Sequence, residues 1–228
     1  MSDAAEPDIA GTPAGTDQPP RFDGDFRARF ADLLRWRRDV RRFRTDPLPP
    51  GTAERLVEAA SLAPSVGFSQ PWRFVRVDHP ARRAAVRASF LACNRDALES
   101  YDDERRRLYA HLKLEGMDRA PLQMAVFADE VTGVGRGLGR RTMPETLRYS
   151  AVLAVHTLWL AARVEGIGVG WVSILDPQAV TGILEVPVGW SLVAYLCIGY
   201  PEIESDRPEL QRAGWEQPDM ASRTIIQR

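Results

Sequence analysis

Apolar residues recur at helical spacing at Phe26, Phe30, Leu33 and Leu34, which predicts an amphipathic helix over residues 24 to 37. Pro47, Pro49 and Pro50 then break the chain, and Leu56, Val57 and Ala60 share one face of a second helix near 52–63, ended by Pro64. Trp72 to Val77 is rich in aromatic and β-branched residues and predicts a strand. A long helical stretch follows over about 81–115, and its polar centre, Tyr101 to Arg107, is expected to form a solvated face. Leu122 to Ala128 predicts the next strand. Glu145 to Val164 carries Tyr149, Val152, Leu153, His156, Trp159 and Leu160 almost all round, so this helix is buried either centrally or against a partner subunit.

Gly166, Gly168 and Gly170 lead into a strand at Trp171 to Leu175, and Asp176-Pro177 is a helix start with Asp as N-cap and Pro at N1. Trp190 to Ile198 is wholly apolar at its centre, which suits an inner strand. A Pro- and charge-rich tail follows Gly199. The order of elements predicts an α+β fold, a central mixed sheet covered by helices. The all-round apolar helix and the long tail argue for a homodimer with exchanged arms.

The 228 residues are 44% hydrophobic and 27% charged, ordinary for a globular chain. A net charge of −1 gives no support to nucleic-acid binding, and no apolar run is long enough to suggest a membrane span. Residues 1–20 lack the basic and apolar regions of a secretory signal and are expected to form a disordered tail, leaving 21–228 as one domain. Cys93 and Cys197 lie far apart without a CxxC pattern, so reduced thiols and a cytoplasmic location are expected. His79, His111 and His156 show no metal-ligand spacing, and no metal site is predicted. His156 is expected to be a core or interface histidine.

Two stretches carry candidate chemistry. Arg37-Arg38-Asp39-Val40-Arg41 sets three guanidinium groups around one carboxylate, and the planar fork of arginine grips phosphate through paired hydrogen bonds. Ala63-Pro64-Ser65-Val66-Gly67-Phe68-Ser69-Gln70-Pro71-Trp72 is a tight turn before a strand, where backbone can approach a flat ring closely. Together they suggest a planar, phosphorylated ligand. The plainer readings are that the arginines serve a helix end or surface ion pairs, that Ser65 caps a turn, and that Ser173 satisfies strand hydrogen bonds. Residues 133–140 (GVGRGLGR) lack the lysine and hydroxyl of a phosphate loop and are expected to form a flexible surface loop.

These residues resemble the flavin-dependent nitroreductase superfamily. Arg37 to Arg41, Pro64 to Phe68, Leu112 to Gly116, Thr142 to Glu145 and Gly170 to Ile174, in that order, are most similar to its 5,6-dimethylbenzimidazole synthase family, and the likeness runs from about residue 24 to Trp215. The resemblance implies a nitroreductase-like fold in which Arg37, Arg38 and Arg41 hold the phosphate and ribityl end of FMN, with Asp39 and Val40 in the same segment. Pro64, Ser65 and Gly67 would approach the flavin from one side, and Gly170, Trp171, Val172 and Ser173 from another.

Asp39 and Ser173 match the two positions used in the family's chemistry, and residues 98–118 match a lid over the flavin. The implied reaction consumes reduced FMN and O2, releases 5,6-dimethylbenzimidazole, a cobalamin lower ligand, and erythrose 4-phosphate, and relies on an external flavin reductase. The alternatives are an NAD(P)H-dependent nitroreductase or dehalogenase-like enzyme, and a flavin-binding protein without turnover. The chain departs from the family pattern at Glu216-Gln217-Pro218 and at Thr146-Leu147-Arg148.

Overall fold

Four strands alternate in side-chain direction, and that alternation divides the interior into two cores. The structure is a computed structural model that describes residues 19–111 and 116–228. Strands β1 (Trp72–Arg76), β2 (Leu122–Asp129), β3 (Gly168–Val172) and β4 (Trp190–Gly199) form one sheet in the order β1-β2-β4-β3. Every ladder is antiparallel. The α+β expectation holds, but the sheet is not mixed. Its parallel contact is a single bridge between Asp39 and Val169 at the β3 edge. A parallel neighbour needs a crossover that carries the chain back along the strand. The β3-to-β4 connection instead uses a short helix and a turn, and β4 re-enters from the end where β3 left, Val172 pairing Tyr195.

On one face Leu122, Met124, Val126 and Ala128 of β2 and Ala194, Leu196 and Ile198 of β4 pack against helix α6 (Thr146–Val164) and helix α2 (Thr52–Ala60). On the other, Ala125, Phe127, Tyr195 and Cys197 meet helices α3 (Pro80–Ser100) and α7 (Pro177–Leu184) through Val86, Phe90, Val180 and Leu184. The period of two fixes which residue faces which helix, and each fully buried Val, Leu or Phe side chain contributes about 1.5–3 kcal/mol of transfer free energy.

Helix α1 (Gly24–Trp36) begins where Asp23 Oδ1 accepts from the Phe26 N–H at 2.7 Å, yet none of its residues is buried. Its Phe26, Phe30 and Leu34 stay exposed on this chain. Helix α6 is likewise only half covered. Ala151, Ala154, Val155 and Leu158 are buried, whereas Tyr149, Val152, Leu153 and His156 face outward. His156 is therefore not a core histidine.

The predicted 81–115 helix is broken. Tyr101 adopts extended backbone after α3, and helix α4 (Asp103–His111) starts afresh; residues 112–115 lie outside the described residues, as does most of the expected 1–20 tail. Helix α5 (Gly116–Arg119) follows, and the C-terminal arm carries the short helix α8 (Glu209–Arg212). Among the described residues no helix is long and apolar enough to cross a membrane.

Strand β3 also begins earlier than predicted, at Gly168 rather than Trp171, so two glycines stand inside the strand. The 133–140 segment is a surface loop, as expected, but it interlocks with residues 65–69. A β-carbon on Gly67 would lie 2.8 Å from the Leu138 carbonyl oxygen, and one on Gly135 would lie 2.6 Å from that of Gly67.

Candidate functional site

The segment after α1 lies along the open edge of β3 because β3 is bare there. Val40 N–H donates to the Val169 carbonyl at 3.0 Å, and a β-carbon on Gly170 would overlap the Val40 carbonyl oxygen. On Gly168 it would come within 2.7 Å of Val40 Cγ2. The alternating glycines are the local cause of the close approach.

That approach fixes Asp39. Its Oδ1 accepts from the Trp171 backbone N–H at 3.0 Å, and its Oδ2 accepts from Arg41 Nε at 3.2 Å. Arg41 Nη1 is buried and has no hydrogen-bond partner among the described residues. A buried guanidinium N–H left unpaired is costly, so the position is built for an acceptor.

The three arginines do not converge on Asp39 as the sequence suggested. Only Arg41 pairs with it. The Arg37 guanidinium lies over the Trp159 ring, 4.9 Å from its centroid, while Trp159 Nε1 donates to the Arg38 carbonyl at 3.2 Å. Arg38 turns toward the C-terminal arm and donates through Nε and Nη2 to the Asp206 carbonyl at 3.0 and 2.6 Å. Burial, and then the neighbouring Arg37 charge, push its pKa down from the ordinary arginine value.

Two depressions meet at this segment. One is an apolar-walled cleft of about 110 Å³ lined by Asp39, Val40, Arg41, Phe90, Gly116, Gly170, Trp171, Val172, Ser173, Ile174 and Cys197. The other is a basic pocket in which Arg38, Arg41 and Arg42 face Ser205, Arg207 and Arg212 of the arm, with Glu209 and Asp39 the carboxylates among the described lining residues. Asp39, Val40 and Arg41 belong to both. Gly116 is held at the cleft by a buried relay, Gln123 Nε2 donating to the Met117 carbonyl while Gln123 Oε1 accepts from the Tyr195 hydroxyl, each at 2.7 Å. Burial, then the Asp39 charge, push the Cys197 thiol up to about 12, so this wall of the cleft is a neutral S–H.

Of the residues singled out in the sequence, Asp39, Val40, Arg41, Gly170, Trp171, Val172 and Ser173 come together at the cleft, and Arg38 joins them from the basic pocket. Arg37 lines neither depression. Nor do Pro64, Ser65 and Gly67, whose loop is tied to the opposite face of the sheet: Val66 N–H donates to Ser150 Oγ of α6 at 3.0 Å, and Ser65 Oγ accepts from Gln70 N–H at 3.0 Å. Phe68 and Gln70 in this loop hold positive φ angles of 55° and 44°, a conformation costly for bulky residues, and the Phe68 ring is exposed. Phe90, Cys197, Arg42, Ser205, Arg207 and Arg212 were missed. The pair Arg207 and Arg212 in a charged tail was the one sequence signal that pointed to them.

An arginine pocket that opens into an apolar cleft, on the edge of an antiparallel sheet covered on both faces by helices, is the site of an α+β protein of nitroreductase-like fold. The chain belongs to the nitroreductase family, which it matches over residues 34–200. It is 59% identical over 197 residues to the 5,6-dimethylbenzimidazole synthase of Rhodospirillum rubrum, covering 86% of this chain and 93% of that one. It is 50% identical over 196 residues to the protein of the same name from Rhodobacter capsulatus, covering 86% and 95%. Among solved structures, iodotyrosine deiodinase bound to FMN and 3-iodo-L-tyrosine shares the fold, with a TM-score of 0.66 at 23% identity over 87% of this chain and 97% of that one.

Proposed function

We propose that the chain is a 5,6-dimethylbenzimidazole synthase that takes reduced FMN and O2 to 5,6-dimethylbenzimidazole and erythrose 4-phosphate, with the four-carbon pyrimidine remainder of the flavin, which carries the oxygen atoms of O2, as the third product. The observation that carries this reading is the carboxylate of Asp39, pinned where the arginine pocket and the apolar cleft meet. The high identity to the two synthases supports the choice of reaction.

The residues fit FMN. Arg38, Arg41, Arg42, Arg207 and Arg212 offer charge-assisted donors to its phosphate, and the unpaired Arg41 Nη1 takes an acceptor from the ligand. Val40, Phe90, Val172 and Ile174 supply an apolar wall for the ring system. Reduced FMN is itself the substrate, and it supplies both the ring that is kept and the electrons that O2 accepts.

Among the described residues two of the Asp39 lone-pair sites are in use, so it can take or relay a proton through the others while its orientation stays fixed by Trp171 and Arg41. Ser173, exposed at the cleft mouth, orients ligand hydroxyls or oxygen by hydrogen bonding. Arg37 acts through Trp159, keeping the 37–41 backbone seated.

The site is completed by a second copy of the chain. The Pro64–Phe68 loop sits on the α6 face, away from its own cleft, and next to it lie the uncovered Tyr149, Val152 and Leu153 of α6. A homodimer that covers this face and the Phe26–Phe30–Leu34 stripe of α1 brings each loop to the other chain's flavin. The α4 region closes over the ring and excludes water. An external flavin reductase provides reduced FMN, and the free thiols suit a cytoplasmic setting.

Incubation of the purified protein with chemically reduced FMN in air, followed by chromatography and mass spectrometry, tests the reading. Loss of FMN with formation of 5,6-dimethylbenzimidazole is expected. Quantitative return of oxidised FMN would leave a binding protein. Steady NAD(P)H oxidation with a nitroaromatic acceptor and intact FMN would make it an ordinary nitroreductase.

A further inference from the structure

Helix α4 is a poor helix to dock. Its sequence DERRRLYAH offers little apolar surface, and Tyr109 is its one residue described as buried. Arg106 ties its start to the end of α3, donating to the Leu98, Glu99 and Tyr101 carbonyls, and its buried side is seated by a group of three aromatic rings drawn from three parts of the chain. The Tyr109 ring lies 5.2 Å from Tyr101, at the break between α3 and α4, and 6.1 Å from Trp215 in the C-terminal arm. Tyr101 and Trp215 meet edge to face at 5.6 Å. The Tyr109 hydroxyl donates to Asn94 Oδ1 at 2.7 Å, one helical turn along α3 from Phe90 of the cleft wall. Arg41 lies close enough to oppose the effect of burial on the Tyr109 hydroxyl. In sequence α4 stands between two wall positions of the cleft, Phe90 and Gly116.

Trp215 is not free to move independently of the basic pocket. Its N–H donates to the Leu210 carbonyl at 2.9 Å, closing the end of α8, and Gly214 N–H donates to the Gln211 carbonyl at 3.2 Å. The same short helix presents Glu209 and Arg212 to the basic pocket, where Glu209 pairs with Arg42 at 3.7 Å. The pocket wall and the latching ring therefore form one small body. Whatever an anion does to Arg42, Arg207 and Arg212 is carried three residues on to Trp215, and from there by ring contact to α4.

We propose that Trp215 is a positioning residue: it couples occupancy of the arginine pocket to the seating of α4 over the cleft, so that the cleft closes only behind a bound phosphate end. The flavin part of this inference rests on the function proposed above. The mechanical part does not, because it concerns an anion and a helix.

Hydrogen exchange followed by mass spectrometry on the full-length protein tests it, with no additive, with inorganic phosphate and with oxidised FMN. In the wild type and in Trp215→Phe, FMN is expected to slow exchange over residues 103–111, with phosphate doing so to a lesser degree. In Trp215→Ala, exchange there is expected to be faster by roughly tenfold, the size set by loss of two aromatic pairs, and to stop responding to either anion. Tyr101→Leu removes the other side of the same ring group and gives the same readout should Trp215→Ala fold poorly.

With reduced FMN in air, Trp215→Ala is expected to send a larger share of the flavin to oxidised FMN and hydrogen peroxide, two electrons passing to O2 without ring cleavage. Rescue by phenylalanine marks positioning rather than bulk stability. If α4 exchange in both variants responds to FMN as in the wild type, the coupling does not exist. If it responds as proposed but the wild type forms no 5,6-dimethylbenzimidazole, the latch stands and the proposed function falls.

Discussion

Val40 lies against the bare backbone of Gly170 so closely that a β-carbon there would overlap its carbonyl oxygen. This contact seats Asp39 and Arg41 at the edge of the sheet. Gly170→Ala is expected to displace the segment, lowering stability by about 1–3 kcal/mol and the melting temperature by several degrees, and to abolish flavin binding. Gly182→Ala, in helix α7 with no atom within 4 Å of the new carbon, is expected to raise the melting temperature slightly, since alanine favours a helix interior by about 1 kcal/mol. Thermal unfolding of both variants checks the contrast.

Asp39→Asn keeps the shape but replaces one acceptor oxygen by a donor facing either Trp171 N–H or Arg41 Nε. FMN affinity is expected to fall modestly, while formation of 5,6-dimethylbenzimidazole falls about 10²- to 10⁴-fold, the range for loss of a general acid or base. Equal losses in binding and turnover, measured by titration and by product analysis, would make Asp39 a structural residue alone.

The proposed phosphate contacts of Arg207 and Arg212 would separate FMN from riboflavin. Arg207→Gln and Arg212→Gln are each expected to weaken FMN binding by about tenfold or more, as expected for a hydrogen bond to a charged group. Riboflavin, which lacks the phosphate, is expected to bind both variants as it binds the wild type. Fluorescence titration at fixed ionic strength measures this.

Leu153→Glu on the open face of α6, or Phe30→Glu on α1, is expected to yield a monomer by light scattering. Neither residue lines its own chain's cleft, yet flavin binding is expected to be lost with the second chain. A monomeric variant that still binds FMN tightly would show that the Pro64–Phe68 loop is not shared.

Alkaline pH is expected to unfold the protein early. Burial pushes the Cys197 thiol up to about 12 and the Tyr195 hydroxyl upward as well. An unfolded thiol loses its proton at about 8.5, so between there and about 12 the unfolded chain releases a proton that the folded chain keeps. The stabilisation is whole below that window and declines as pH rises through it, by up to about 1.4 kcal/mol per pH unit from Cys197. Melting temperatures from pH 8 to 10.5 should fall less steeply in Cys197→Ala; parallel slopes would refute the assignment.

Most elements were legible because local rules wrote them. Asp176 caps α7 with Pro177 at N1, as its side chain dictates, and the apolar runs of β2 and β4 are buried on both faces of the sheet. The break at Tyr101 was hidden, because nothing in the sequence SYDDERRR forbids a continuous helix. The extended backbone there allows its ring to meet Tyr109 and also Trp215, which lies more than a hundred positions further along the chain.

The site divided in the same way. Residue type and spacing by themselves singled out an arginine-rich segment and a tight Pro-Ser turn as candidates for one ligand, since guanidinium geometry and glycine's missing side chain are properties of single residues, and the family resemblance added the Gly-Trp strand. Only the tertiary structure decided which guanidinium reaches Asp39, because Trp159 claims Arg37 and the Asp206 carbonyl claims Arg38. It also decided that the Pro64–Phe68 loop faces away from its own cleft, because strands alternate sides and the loop is fastened to the helix on the other one. Such choices depend on which distant groups compete for the same donor or face, and no window of sequence contains them.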